Sequence, residues 1–309
     1  MMAKGHAVGG AAVWLTGWSW TAVAGLAQPR ADVLTVGTLI CAGAALLPDL
    51  DHPNSRLARV GGLITYGIAL VFGWIGRHVH AATKLDADRP DLDGHRTITH
   101  TLVFAGLTGT LIAGIAGLSD DLGAWLAGRT GLPIAPLGKL LTAVIVYVFV
   151  QIGAAALRAN FGGRRRKVPL LPPKGNRKRG RARVHKSTAV ALLCAVASYA
   201  LVPGDVWWLG LAVGVGCVAH CLGDVITASG CPILWPLPVP SRGTRYDRTL
   251  RRRVPVVKWR TWYLVGTPRW CRFRVGSPTE AVVTWCLLAW IAVPVAGLVY
   301  AIGRVPSGG

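Results

Sequence analysis

The sequence predicts an all-α fold: a polytopic membrane helical bundle of about seven spanning helices plus a short re-entrant or interfacial segment. Three observations predict it. Hydrophobic residues make up 52% of the chain and charged residues only 15%, where an ordinary soluble domain carries about 25% charged residues. Apolar runs recur along the chain near the length of about 20 residues that a helix needs to cross a bilayer. The formal net charge of +21 is concentrated in blocks. Residues 158–186 carry twelve Lys/Arg and no acid, and residues 242–274 carry eleven against Asp247 alone. Such blocks fit cytoplasmic loops obeying the positive-inside rule and contact with anionic lipid headgroups. They make no strong case for nucleic acid. Seven cysteines form no CxxC framework, and nothing suggests a disulfide scaffold. Cys41, Cys194, Cys217 and Cys286 read as small buried hydrophobes.

The elements follow in order. Lys4 and His6 precede an apolar stretch at about 7–26, too long for a signal peptide's apolar core and followed by further apolar segments. It reads as a retained first helix. Asp32 is a plausible N-cap for a second segment over about 33–48, which Pro48 ends. Residues 60–76 are apolar, glycine-rich and short; at 1.5 Å per residue they barely reach across a core of about 30 Å. Residues 77–96 are polar, with Asp86, Asp88, Asp91 and Asp93 among them, and include His78 and His80 as loop histidines. Spans are expected over 97–118 and 137–159, joined by an external loop carrying Asp120 and Asp121. A basic cytoplasmic loop over 160–186, rich in Gly and Pro, follows. Segments 187–202 and 206–223 are joined by the turn Pro203-Gly204-Asp205. Trp235, Trp259, Trp262 and Trp270 suit the headgroup level. A last span covers 281–303, with Pro294 inside it. Three regions result: a membrane-embedded domain over 1–240, a basic interfacial region over 241–280, and a C-terminal transmembrane helix.

Ionisable residues beside lipid-grade sequence mark function. Here they cluster at segment ends: His6; Asp49, Asp51 and His52 between Pro48 and Pro53; His95 and His100; His220 and Asp224. His220 and Asp224 are i and i+4, on one helix face. They present a nitrogen and a carboxylate to one ion, or else hydrogen-bond to each other. Asp49 and Asp51 point together if their backbone is extended. Thr97 is a candidate N-cap for a helix that carries His100 in its first turn. Arg96 between the histidines suits an anionic substrate such as a phosphate ester, or pairs with Asp49 or Asp51. With both basic blocks cytoplasmic, all four clusters reach the inner face provided that 60–76 does not cross. The N-terminus is then cytoplasmic and the C-terminus external.

A mixed His/Asp set suits zinc, and also manganese or iron. The surplus of ligands allows one ion or two. The metal set is His6, Asp49, Asp51, His52, His95, His100, His220 and Asp224. Asp51 would take the proton of a metal-activated water, and Arg96 would bind the substrate. The site lies at the membrane interface, so a lipid or another amphiphilic ester is the easiest substrate to reach. Two other classes remain open: a transporter of metal ions or small anions, and a non-enzymatic regulatory membrane protein.

The motifs Gly5-His6, Leu46-Leu-Pro-Asp-Leu-Asp-His-Pro-Asn-Ser55, His95-Arg-Thr-Ile-Thr-His-Thr101 and Ala219-His-Cys-Leu-Gly-Asp224, with Thr227-Ala-Ser-Gly230 and Leu234-Trp-Pro236, resemble the bacterial inner-membrane metal-dependent hydrolase family of the YdjM type. The resemblance covers residues 1–240. It implies a distant similarity to zinc-dependent phospholipase C and the P1-type nucleases. It also implies metal ligation by His6, Asp49 or Asp51, His100, and His220 with Asp224.

Overall fold

A computed structural model describes residues 2–26, 30–53, 55, 58, 63–90, 96–131, 137–158, 177–202 and 206–303. His95, Asp91, Asp93, residues 160–176 of the basic loop and the Pro203–Asp205 turn lie outside the described residues. The described helices are α1 (Ala3–Val23), α2 (Ala31–Ala44), α3 (Leu63–Thr83), α4 (Leu102–Thr130), α5 (Leu137–Arg158), α6 (Arg177–Leu201), α7 (Trp208–Val225) and α8 (Pro278–Gly303). Between α7 and α8 an antiparallel hairpin pairs β1 (Val239–Asp247) with β2 (Arg252–Arg260), in the register Val239↔Arg260 to Asp247↔Arg252. The fold is therefore mainly helical but not all-α.

Among the described residues, four helical segments are long and apolar enough to cross a membrane: Ala31–Asp51, Leu102–Thr130, Trp208–Val225 and Pro278–Gly297. Shorter apolar stretches lie in α5 (Lys139–Ala154) and α6 (Thr188–Leu201). Seven full-length spans are thus not what the helices themselves show. Several boundaries also move. The expected external loop after residue 118 continues as α4 to Thr130, and α6 begins at Arg177 inside the basic block. Asp32 is not the N-cap of α2. Arg30 takes that position, and Asp32 sits in the first turn, bonded to the Arg30 guanidinium at 2.7 and 3.0 Å, where a carboxylate also complements the helix dipole. Helix α3 extends to Thr83, so His78 and His80 are helical, and His80 is buried edge-on against Trp262.

The core is built where α1, α2, α5 and α7 meet, around Trp14, Ile40, Cys41, Val146, Trp208 and Leu209. The crossing of α1, α2 and α7 is set by two glycines. A Cβ on Gly10 would lie 2.6 Å from the Cys41 carbonyl oxygen, and one on Gly216 would lie 2.6 Å from the same atom. Both neighbouring helices therefore reach the backbone of α2 at one level. The Cys41 thiol closes the contact by donating to the Gly10 carbonyl at 3.2 Å. One helical turn onward from this crossing lie His6 on α1 and His220 on α7.

Helix α3 lies across this end of the molecule. Its middle residue Gly73 approaches the Asp51 carbonyl so closely that a Cβ would sit 3.0 Å away, and Phe72 meets Phe104 edge-on. The end of α3 is fastened to the segment after β2. The buried Asp88 carboxylate accepts from the Thr261 and Trp262 amides and from the Thr261 hydroxyl, at 3.2, 3.1 and 2.8 Å. Trp235 and Trp262 stack there and both donate to the Thr83 hydroxyl. Trp262 is buried, so it does not serve at the headgroup level, whereas Trp259 and Trp270 are exposed.

Gly216→Ala is expected to destabilise the protein by about 1–3 kcal/mol through overpacking, read as a lowered melting temperature in detergent. Gly17→Ala, where a Cβ meets nothing within 4 Å, should leave the melt unchanged or slightly raised.

Candidate metal centre

Four helix ends deliver the site. Asp49 and Asp51 lie in a 3-10 turn, Pro48–Asp51, that continues α2. The expected extended backbone is not present. At three residues per turn, positions i and i+2 point about 240° apart, so the two carboxylates diverge. Asp49 faces His100 and His220, while Asp51 takes the Thr99 hydroxyl at 2.6 Å. His100 is not inside a long helix. It ends a second 3-10 turn, Ile98–His100, and Thr101 caps α4 by accepting from the Phe104 amide at 3.2 Å. Thr97 precedes that turn with no side-chain capping bond.

The ring nitrogens can be assigned from their outer partners. His220 Nδ1 lies 2.8 Å from the Ala45 carbonyl oxygen. A carbonyl only accepts, so Nδ1 carries the hydrogen. That carbonyl belongs to the C-terminal end of α2, where helices leave acceptors unused. Thr99 gives its one hydroxyl hydrogen to Asp51 and must accept from His100 Nδ1, 3.0 Å away. Asp51 Oδ2 is also 3.5 Å from His100 Nδ1. In the neutral rings both Nε2 atoms then present lone pairs, and they face each other at 3.3 Å.

Carboxylate oxygens surround the same point. Asp49 Oδ1 is 3.9 Å from His100 Nε2 and 3.7 Å from His220 Nε2. Asp224 Oδ2 is 3.8 and 3.9 Å from the same two atoms. The expected alternative of a local His220–Asp224 hydrogen bond fails, because 3.9 Å exceeds its reach. His6 stacks on His220 with centroids 3.7 Å apart and brings Nε2 to 3.4 Å from Asp224 Oδ1. Its buried Nδ1 has no hydrogen-bond partner. Among the described residues, two groups each bring their ligand atoms within 4.8 Å of one another: His6, Asp49 and His220; and His100, His220 and Asp224. Imidazole lone pairs and carboxylate oxygens converging on one buried point could hold a divalent cation.

Arg96 adopts a left-handed backbone, φ 58°, unusual outside glycine. Its guanidinium pairs with Asp224 Oδ2 at 3.1 Å and donates to the Gly230 carbonyl at 2.8 Å. It meets Asp224 rather than the expected Asp49 or Asp51. His6, His100, His220 and Asp224 are buried, but the Asp49 side chain is 27% exposed and that of Arg96 16%. These two side chains are the solvent-facing members of the cluster.

Of the expected ligands, His6, Asp49, His100, His220 and Asp224 are brought together. Asp51 lies on the Nδ1 side of His100, away from the convergence point, and His52 is half-buried after the turn and belongs to neither group. His95 lies outside the described residues.

The sequence model of the YdjM inner membrane protein family matches residues 1–150 and 140–303. The chain belongs to the YdjM inner membrane protein family. Searches of curated proteins and of solved structures found no significant match. Membership and the apolar helices make this YdjM chain a multi-pass membrane protein.

Two contributors escaped sequence reading. Thr99 carries no signal of its own; only its place between His100 and Asp51 gives it a role. Glu280, fully buried in the first turn of α8, accepts from the Met2 and Gly276 backbone amides. It thereby holds the start of α1, one turn before His6. An acid at a helix start reads from sequence as an ordinary first-turn residue.

His220→Ala and Asp49→Ala are expected to lose the bound metal, measured by elemental analysis of purified protein. Thr99→Val should weaken metal affinity about 10- to 100-fold, the usual effect of removing a group that orients a ligand. Wild-type stoichiometry in both ligand variants would contradict the assignment.

Proposed function

We propose that the protein is a membrane-embedded metal-dependent hydrolase acting on a phosphoester or other ester of a lipid-like substrate at the cytoplasmic interface. The observation that carries the reading is the facing pair of Nε2 lone pairs on His100 and His220, ringed by Asp49 and Asp224 at the ends of helices. His220 belongs to both ligand groups, and one Nε2 lone pair serves one ion. A single ion is therefore favoured over two, held by His100, His220, Asp49 and Asp224, with His6 completing the set. Nitrogen and oxygen donors without thiolate suit zinc, with manganese or iron as substitutes. Such an ion would supply Lewis acidity and lower the pKa of a water.

The protein's own groups divide the remaining work. Asp51 and Thr99 hold His100 with Nε2 inward, so we assign Asp51 to positioning rather than to proton transfer. Arg96 orients Asp224 and, being partly exposed, meets an anionic substrate entering beside Asp49. The expected kinship to zinc-dependent phospholipase C and the P1-type nucleases is part of this proposal, as is the topology. In it α1, α2 and α4 to α8 cross the bilayer, α3 lies at the interface, the N-terminus and basic loops are cytoplasmic, and the C-terminus is external.

The activity is tested with a phospholipid and a chromogenic phosphodiester in mixed micelles. Hydrolysis by wild type, abolished by a chelator, restored by zinc and absent from His220→Ala, is the expected result. Metal uptake into proteoliposomes without hydrolysis would favour transport instead. For topology, cysteines placed at Ser55 and Asp86, in a background lacking the exposed Cys271 and Cys286, should label from the same side of intact membranes. Labelling from opposite sides would mean that α3 crosses.

A further inference from the structure

We infer that the β1–β2 hairpin is an anionic-lipid-binding arm that lies on the same membrane face as the metal centre. Opposed residues of an antiparallel pair share a face. One face of the hairpin carries Pro240, Arg242, Thr244 and Tyr246 opposite Trp259, Val257, Pro255 and Arg253. All eight side chains are exposed. This face contains two arginines and no acid, and it exposes Tyr246, Val257 and Trp259 as large apolar groups. Arg248, Leu250 and Arg251 extend the same chemistry at the exposed tip. The single acid of the hairpin, Asp247, points to the other face and accepts from the Thr249 and Leu250 amides, which shapes the turn. The opposite face is half-buried at Ser241, Gly243, Val254 and Val256 and adds the exposed cations Arg245, Arg252 and Lys258 at its margins.

A two-stranded ribbon is marginal in water, and one that leaves an aromatic and arginine face uncovered calls for a partner. Arginine with Trp and Tyr is the composition of the headgroup level: cations meet phosphates, and amphipathic rings sit at the interface. Position selects the lipid over a soluble polyanion. β1 follows α7, which ends at the metal centre, and β2 leads to α8, whose Glu280 meets the start of α1. Both ends of the arm are thus tethered at helix ends on one face. The base is also pinned through Thr261 and Trp262 to Asp88 and Thr83. A segment so tethered meets the adjacent membrane at high effective concentration. Beside the base, a cleft of about 460 Å³ is lined by Lys84, Lys258 and Trp259 together with Leu85, Asp86 and Ala87. It is large enough to admit a headgroup.

The test uses the full chain in nanodiscs doped with photoreactive phosphatidylglycerol or photoreactive phosphatidylcholine, with labelled peptides mapped by mass spectrometry. Residues 239–260 should label about tenfold more from the anionic probe than from the zwitterionic one, and high salt should erase the difference. Arg242→Ser/Arg253→Ser should erase it too, while metal content and melting temperature stay at wild-type values. Equal labelling by the two probes in wild type overturns the inference whether or not the variant folds. So does arginine-dependent binding of a fluorescent RNA oligonucleotide at physiological salt in the absence of selective lipid labelling. None of these readouts depends on hydrolase activity.

Discussion

The centre depends on three helices crossing within backbone contact. Gly10 and Gly216 bring α1 and α7 onto the same Cys41 carbonyl of α2, and no side chain separates them there. His6 and His220 then emerge one turn further along, close enough to stack, and α2 ends beneath them with a free carbonyl for His220. In a bilayer the drive to associate comes from packing and hydrogen bonds rather than from water exclusion, so small residues at crossings decide how closely helices meet. A methyl group at either glycine would push apart the two rings that the site needs in contact.

Burial of so many polar groups is tolerable because His100, His220 and Asp224 are held from outside. Thr99 and Asp51 occupy one side of His100, the Ala45 carbonyl occupies one side of His220, and Arg96 with His6 flanks Asp224. These bonds turn the Nε2 atoms of His100 and His220 toward Asp49 and Asp224. Acceptors packed against acceptors repel, and a cation between them would reconcile them. Asp49 and Arg96 are the partly exposed members of the cluster.

Ligand residues were legible wherever a short motif sits at the end of an apolar run. Asp49, His100, His220 and Asp224 stand out because ionisable groups beside lipid-grade sequence are costly and rarely idle. The division of labour between Asp49 and Asp51 was not legible, because it turns on 3-10 rather than extended backbone over four residues. The hairpin was hidden for a different reason. Its arginine-rich strands lack the apolar alternation that marks a half-buried strand, since one face is fully exposed. The buried roles of Asp88 and Glu280 were hidden as well, because Thr261 and Met2, their long-range partners, lie 173 and 278 residues away.

By itself the sequence determined that this is a helical membrane chain, which residues are equipped to bind a metal, and where positive charge gathers. These properties are carried by local composition and short spacing, which chain folding does not alter. Only the tertiary structure decided which of the equipped residues meet, which way each imidazole presents its lone pair, and which carboxylate faces the two Nε2 atoms. Those outcomes depend on contacts between helix ends far apart in the chain, and on glycine crossings whose depth is a property of the packed bundle.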